Sequence, residues 1–325
     1  MKAILLTKNI DDLSLEYSSK LFAGRQRNFI QPLDGLKSLH TALIADQNLH
    51  QDYKDYVDTL VKLYHRSNYI INRVKPKNFQ KLHNKFFAGY IVDLKKKITI
   101  NGEKKQFYKL ITAAMRYDAV RDKDFLFYAK KMGIRSCVYC NANYALSLDM
   151  KNNQIGKYEL DHFRPQSEYP YLCTNFFNLY PVCASCNKAK SDTATLFCLY
   201  TEDPKKLLPF SFALDKQSIV KYMLSQDFED LKINFNAPDH ADHNKIFKIE
   251  ATYSALKDVV EELVWKHKVY NPTYLKSLGN AFSKKFNYSG FSRFILGNYE
   301  HSSEIHKRPL TKLTQDIAKQ LGILK

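Results

Sequence analysis

The chain has 325 residues, 45% of them hydrophobic and 26% charged. That balance excludes a disordered tail protein, a collagen and a coiled-coil rod. Lys plus Arg number 50 against 33 Asp plus Glu, a formal net charge of +17. Such an excess points to a polyanionic partner, with nucleic acid the first choice and a merely Lys-rich protein the competing one.

Apolar runs are only a few residues long, so no membrane span is expected. Ala3–Leu6 is apolar but is soon followed by Lys8, Asp11 and Asp12. That is too short for a secretory core, and a cytoplasmic chain is expected. Residues 1–136 carry 26 basic and 13 acidic side chains, residues 137–200 carry 5 of each, and residues 201–325 carry 19 and 15. The front segment is therefore the expected electrostatic footprint.

In chain order, residues 34–75 predict helices, with Tyr53, Val57, Leu60, Val61 and Tyr64 at helical spacing. Residues 77–97 continue the pattern through Phe79, Leu82, Phe86, Tyr90 and Leu94. Lys95-Lys96-Lys97 suits a helix C-terminus; it is more often a solvated end than a DNA clamp, although the basic front half favours the clamp more than usual. Asn101-Gly102 predicts a turn between strands 98–100 and 106–108. Residues 121–132 predict a helix with Gly133 at its C′ position. Strand-like pieces follow at 144–148, 158–161 and 179–182. Residues 232–236 and 245–250 predict a hairpin, residues 251–268 a strong helix, and 272–286 and 310–321 further helices. The fold class expected is mainly α with a small α+β module. The divisions expected are a basic, mainly helical region 1–133, a module at 134–200, and a mixed, mainly helical region 201–325.

Four of six cysteines form Cys137-x-x-Cys140 and Cys183-x-x-Cys186. Each knuckle turns two sulfurs toward one point, and two knuckles supply the four thiolates that structural zinc prefers. Disulfides are disfavoured in a cytosolic chain. Cys173 and Cys198 lack partners at ligand spacing and read as core residues.

Between the knuckles stand Leu160-Asp161-His162-Phe163-Arg164-Pro165-Gln166-Ser167 and Asn178-Leu179-Tyr180-Pro181-Val182, with Asn187-Lys188-Ala189-Lys190 after Cys186. The order is strand, loop, strand, helix. These residue types fit metal-assisted phosphodiester cleavage. Mg²⁺ or Mn²⁺ takes oxygen ligands, which Asp161 and Asn187 supply. His162 is the natural general base. Asn178, preferred over Asn175, would fix the ring or the loop by hydrogen bonding. Arg164, Lys188 and Lys190 would hold flanking phosphates of DNA. Adjacent strand residues face opposite ways, so Asp161 and His162 can share a phosphate only where the strand ends or twists. Asp239, His240, Asp242 and His243 read as a polar turn rather than a second metal site.

These motifs resemble the HNH endonuclease family, the zinc-stapled branch of the ββα-metal nucleases, over about residues 134–195. The family's first histidine matches His162, its metal-binding acid Asp161, its middle asparagine Asn178, and its third position Asn187. The resemblance implies a central ββα-metal module and cleavage leaving 5′-phosphate and 3′-hydroxyl ends. Asn at 187 favours Mg²⁺ or Mn²⁺ over a His-ligated transition metal. The extended pattern, with Tyr169-Pro170-Tyr171-Leu172 and the 253–270 helix, resembles HNH nucleases of bacterial anti-phage systems. Some of those, such as the nuclease subunit of Septu-type systems, work beside a separate ATPase. No GxxxxGK[ST] loop occurs in this chain. The expected function is DNA cleavage; the alternatives are a non-catalytic zinc module that binds nucleic acid or a protein, and an RNA-directed nuclease. Two-strand cutting makes an oligomer or partner plausible.

Overall fold

A computed structural model describes residues 1–22, 29–65, 71–100, 102–151, 153–270, 273–274, 277 and 293–324. In chain order the elements are β1 (Ile4–Leu5), α1 (Lys8–Phe22), α2 (Pro32–Ala45), α3 (Gln51–His65), α4 (Phe79–Phe86), β2 (Lys97–Ile100), β3 (Glu103–Gln106) and α5 (Phe107–Ala114). Then come α6 (Tyr117–Ala119), a π-helical turn at Val120–Asp124, α7 (Leu126–Lys131), β4 (Leu146–Asp149), β5 (Gln154–Lys157), β6 (Glu159–His162), β7 (Leu179–Val182) and α8 (Ala184–Lys190). The chain closes with β8 (Tyr200–Thr201), β9 (Ser211–Leu214), α9 (Lys216–Ser225), β10 (Ile233–Asn236), α10 (Ala241–Phe247), α11 (Ile249–Ser254), α12 (Lys257–Val269) and α13 (Thr311–Gln320). The fold is mainly helical with small two-stranded sheets. No described helix is long and apolar enough to cross a membrane.

The front helices follow their apolar spacing. Tyr53, Tyr56, Val57, Leu60 and Tyr64 of α3 are all buried. Where α2 crosses α5 the backbones nearly touch: a Cβ on Gly35 would lie 2.4 Å from the Ala114 carbonyl oxygen, so only glycine fits. Gly133, with φ of 71°, ends α7 in the left-handed cap its position predicts.

Several expectations are corrected. The helix over 77–97 stops at Phe86, because Phe87 stacks on Tyr171 at 3.9 Å and the chain turns there. Lys95–Lys97 therefore leads into β2 rather than ending a helix. The second strand of that hairpin is Glu103–Gln106, since Phe107 is fully buried at the start of α5. Strand β10 pairs with β9, not with 245–250. The latter stretch is helical, with His243 and Phe247 one turn apart on a buried face. The 251–268 helix is divided at Ala255–Leu256, although Val260, Leu263 and Val264 are buried as its pattern predicts. The helix expected over 272–286 lies almost wholly outside the described residues.

One continuous buried cluster runs from Met1 through the cysteine knuckles to Ile317. Both flanks grip the middle. Asn141, held at φ of 55°, donates to Ser136 Oγ at 2.8 Å and to the Ile305 carbonyl at 2.9 Å, and accepts from the Lys312 amide. Tyr253 and His243 donate to the carbonyls of Cys140 and Tyr139, each at 2.7 Å. Asn175 ties the front segment in by donating to the carbonyls of Ile71 and Val74.

Candidate metal centre and adjoining cleft

The sulfurs of Cys137, Cys140, Cys183 and Cys186 all lie within 4.8 Å of one another, and all four residues are buried. A tetrahedral zinc with bonds of about 2.3 Å sets its sulfurs about 3.8 Å apart. Cys140 and Cys183 stand 3.9 Å apart. Donors surround the sulfurs: the Ala142 amide points at Cys140, and Asn143 Nδ2 at both Cys140 and Cys183. Ser185 Oγ lies 3.2 Å from Cys183. Burial first, and then the neighbouring Cys140 and Cys183, push the Cys137 thiol up. Four thiolates this close repel one another strongly, so a shared cation is what reconciles proximity with burial. The donor set therefore fits a metal such as zinc. Among the described residues it is the only group of three or more His, Cys, Asp or Glu that converges in this way. Asp239, His240, Asp242 and His243 do not converge; Asp242 instead accepts from the Leu196 amide at 2.8 Å.

The cysteine cluster joins the elements that lie beside it. The first knuckle packs against β7, with the Val138 amide donating to the Pro181 carbonyl. The second knuckle opens α8, with Cys183 at its N-cap. Strands β6 and β7 pair antiparallel, His162 opposite Leu179 and Asp161 opposite Tyr180. His162 is thus the last residue of its strand, where the pleat ends. Both Asp161 and His162 line one open cavity of about 1180 Å³.

Asp161 is buried, with both carboxylate oxygens engaged. Tyr139 donates to Oδ2 at 2.7 Å, and Lys190 Nζ lies 3.2 Å from Oδ1. Burial raises the Asp161 pKa, and Lys190 and Tyr139 oppose that shift. Lys190 also donates to the His162 carbonyl at 2.7 Å. The expectation that Lys190 grips an external phosphate is corrected: its side chain is 1% exposed and is committed to Asp161. Its place on the inward face of α8 follows from Cys186, four residues earlier on the same face.

His162 is 6% exposed. Its Nε2 lies 3.0 Å from the Cys173 carbonyl. A carbonyl only accepts, so Nε2 carries the proton and Nδ1 keeps the lone pair. The ring packs against Tyr117 at 4.7 Å, and Tyr117 donates to the Leu160 carbonyl. Burial lowers its pKa to about 4, the Cys173 carbonyl opposing and Lys190 assisting. The imidazole is therefore neutral at pH 7.

Asn178 is fully buried. Its Oδ1 accepts from the Arg164 amide at 2.8 Å, and its Nδ2 donates to the carbonyls of Arg164 and Leu172. It closes the loop between β6 and β7 on itself, and that loop carries the Cys173 carbonyl which orients His162. Arg164 is not among the residues lining the cavity, and its guanidinium lies 5.6 Å from both the Phe163 and the Tyr169 rings.

Asn187 and Lys188 line the cavity with Asp161 and His162. Asn187 Nδ2 donates to Glu159, leaving its amide oxygen without a protein partner. Sequence reasoning missed three residues here. Glu159 lies two before Asp161 on one strand, a period-two signal that was available. Tyr139 sits inside the first knuckle, but nothing in its spacing predicts a bond to Asp161. Lys123, on the π-helical turn, also lines the cavity and had no motif around it. No family model, curated protein or solved structure matches this chain.

Proposed function

We propose that the chain is a divalent-metal-dependent endonuclease of the HNH type, hydrolysing DNA phosphodiester bonds. The carrying observation is His162: a neutral imidazole, fixed through Nε2 on the Cys173 carbonyl, in a residue that lines one cavity with Asp161, Asn187 and Lys188. On this reading the β6, β7 and α8 elements form the ββα-metal module. Zinc on the four cysteines cross-links it. Mg²⁺ or Mn²⁺ would be held by Asp161, through lone pairs left by Tyr139 and Lys190, and by the Asn187 amide oxygen. When bound, such an ion stabilises charge on the phosphate and the departing oxygen.

The chain's own residues supply the rest. Nδ1 of His162 takes a proton from water as the water oxygen bonds to phosphorus. The P–O3′ bond breaks, the 3′ oxygen takes a proton from solvent, and the products carry 5′-phosphate and 3′-hydroxyl ends. Lys188 and Lys123 are exposed cations at the cavity and hold flanking phosphates. Asn178 holds the loop that orients the ring. A defence role beside a separate ATPase rests on the sequence resemblance.

A second reading draws on one observation. Lys190 already neutralises Asp161, which suits a non-catalytic zinc module that binds nucleic acid. The two separate on one experiment. Purified protein is incubated with plasmid in Mg²⁺ or Mn²⁺, then with EDTA. Nicking that the chelator stops and His162→Ala lacks is expected. Equal nicking by both proteins would sink the catalytic reading. Faster cutting of RNA than of DNA at matched salt would replace the substrate.

A further inference from the structure

The β2–β3 hairpin has two chemically different faces. Ile98 pairs with Lys105 and Ile100 with Glu103; Lys97 pairs with Gln106 and Thr99 with Lys104. Directly paired residues share a face of the ribbon. One face therefore carries Ile98, which is buried, together with Glu103 and Lys105, which pair with each other. The other carries Lys97, Thr99, Lys104 and Gln106. That face has two ammoniums and two neutral hydrogen-bonding groups, and no acid. Lys97, Thr99 and Lys104 are exposed, and neither lysine has an ion-pair partner among the described residues.

The hairpin is held firmly and stands next to the cavity. The amides of Phe107 and Tyr108 donate to the carbonyls of Lys96 and Leu94, each at 2.9 Å, and fix its base to α5. Lys95 Nζ lies 3.4 Å from Asp192, which lines the cavity. Lys95 thus ties the start of the hairpin to the cavity rim through Asp192, and the outward face carries the cations Lys97 and Lys104.

We infer that this face is a docking arm for the sugar–phosphate backbone of duplex DNA, gripping it outside the cavity through Lys97 and Lys104 with Thr99 and Gln106 as neutral donors. Diagonal neighbours on such a ribbon stand about 7–8 Å apart, so the two ammoniums can neutralise two phosphates at once. The arm lies outside the cysteine-stapled segment and serves the cavity that the proposed function uses, so it rests on that reading for its purpose.

The test keeps the two apart. Binding of a labelled 30-base-pair duplex (a length of about three helical turns) is measured by fluorescence anisotropy in full-length His162→Ala protein, where no cutting interferes. Lys97→Gln with Lys104→Gln is compared with Lys216→Gln with Lys245→Gln, which removes the same charge from exposed sites in the C-terminal third. The arm predicts at least tenfold weaker binding at about 100 mM salt for the hairpin pair. It also predicts a fall of about 2 in the slope of log K against log salt, because each lost phosphate contact removes about 0.9. The control pair leaves the slope unchanged. Equal slopes for the two pairs, no binding by the parent protein, or tighter binding to RNA of the same length would each overturn the inference. Hairpin-dependent binding by a chain that never cuts plasmid would leave the arm standing and remove the nuclease.

Discussion

Lys190 Nζ and Asp161 Oδ1 lie 3.2 Å apart, with side chains only 1% and 6% exposed. A charge pair this deep contributes little by existing, but breaking it is costly. Lys190→Met leaves the Asp161 carboxylate buried without its counter-cation, held by neutral donors such as the Tyr139 hydroxyl, and it also strands the His162 carbonyl. A loss of about 3–5 kcal/mol is expected in urea unfolding. Asp161→Asn added to Lys190→Met removes the orphaned charge and should restore part of that loss. If the two substitutions simply add, Lys190 and Asp161 are not coupled and do not form a buried pair.

The four sulfurs predict about one tightly held zinc per chain, measured by elemental analysis. Cys137→Ala and Cys186→Ala should each lose it. The consequence reaches past the site, because the first knuckle is bonded to Asn141, Tyr253 and His243, and through them to the C-terminal third. Chelation should therefore lower the melting temperature of the whole chain rather than loosen one segment. A cooperative melt unaffected by zinc removal would show the cluster to be four packed thiols.

Asn178 hydrogen-bonds to residues outside the cavity lining, yet it should govern the rate. Asn178→Ala leaves the Arg164 carbonyl and amide without partners and the Leu172 carbonyl with the Asn175 amide alone, at about 1–3 kcal/mol. It also frees the loop that carries the Cys173 carbonyl, so the His162 ring loses its fixed tautomer. Under the proposed reaction, nicking should slow at least tenfold while duplex affinity stays within twofold. Asn178→Asp keeps the acceptor for the Arg164 amide but loses both donors, and should fall between. Unchanged nicking in well-folded Asn178→Ala would show that the loop does not position the base.

Much of the centre was legible because its signals are short-range. Two CxxC spacings announce convergent sulfurs, and the 3.6-residue period of α3 announces a buried face. Pairings between distant segments were not legible. Nothing local says that β10 pairs with β9 rather than with the stretch after His243, since both stretches alternate weakly and the choice belongs to the shared core. Lys190 shows the same limit at the site. A lysine three residues after Asn187 reads as a phosphate ligand until α8 is docked on β6, when the ammonium meets Asp161 instead. Tyr139 and Lys123 are contributed by the first knuckle and the π-helical turn, and a helical turn with one extra residue has no sequence period to betray it.

Acid should unfold this chain, and two histidines remote from the cavity make the sign explicit. His243 and His306 are buried, and each donates from Nε2 to a carbonyl, of Tyr139 and Lys2 respectively. Their Nδ1 atoms are buried without partners, so a second proton would create a buried N–H with no acceptor. Burial accordingly lowers both pKa values from the ordinary 6.5 to about 3. In the unfolded chain each histidine takes its proton near 6.5. Between about pH 3 and 6.5 the unfolded state thus binds more protons, and stability rises with pH through that window. It is complete above 6.5 and is lost progressively below. From pH 7.5 to 5.5 each histidine should cost about 1.4 kcal/mol of unfolding free energy. His306→Gln keeps a donor for the Lys2 carbonyl but cannot titrate, so urea midpoints measured across that range should fall less steeply in this variant. An identical fall in both proteins would mean that His306 is protonated in the folded chain, and that its Nδ1 has an acceptor or water the packing does not reveal.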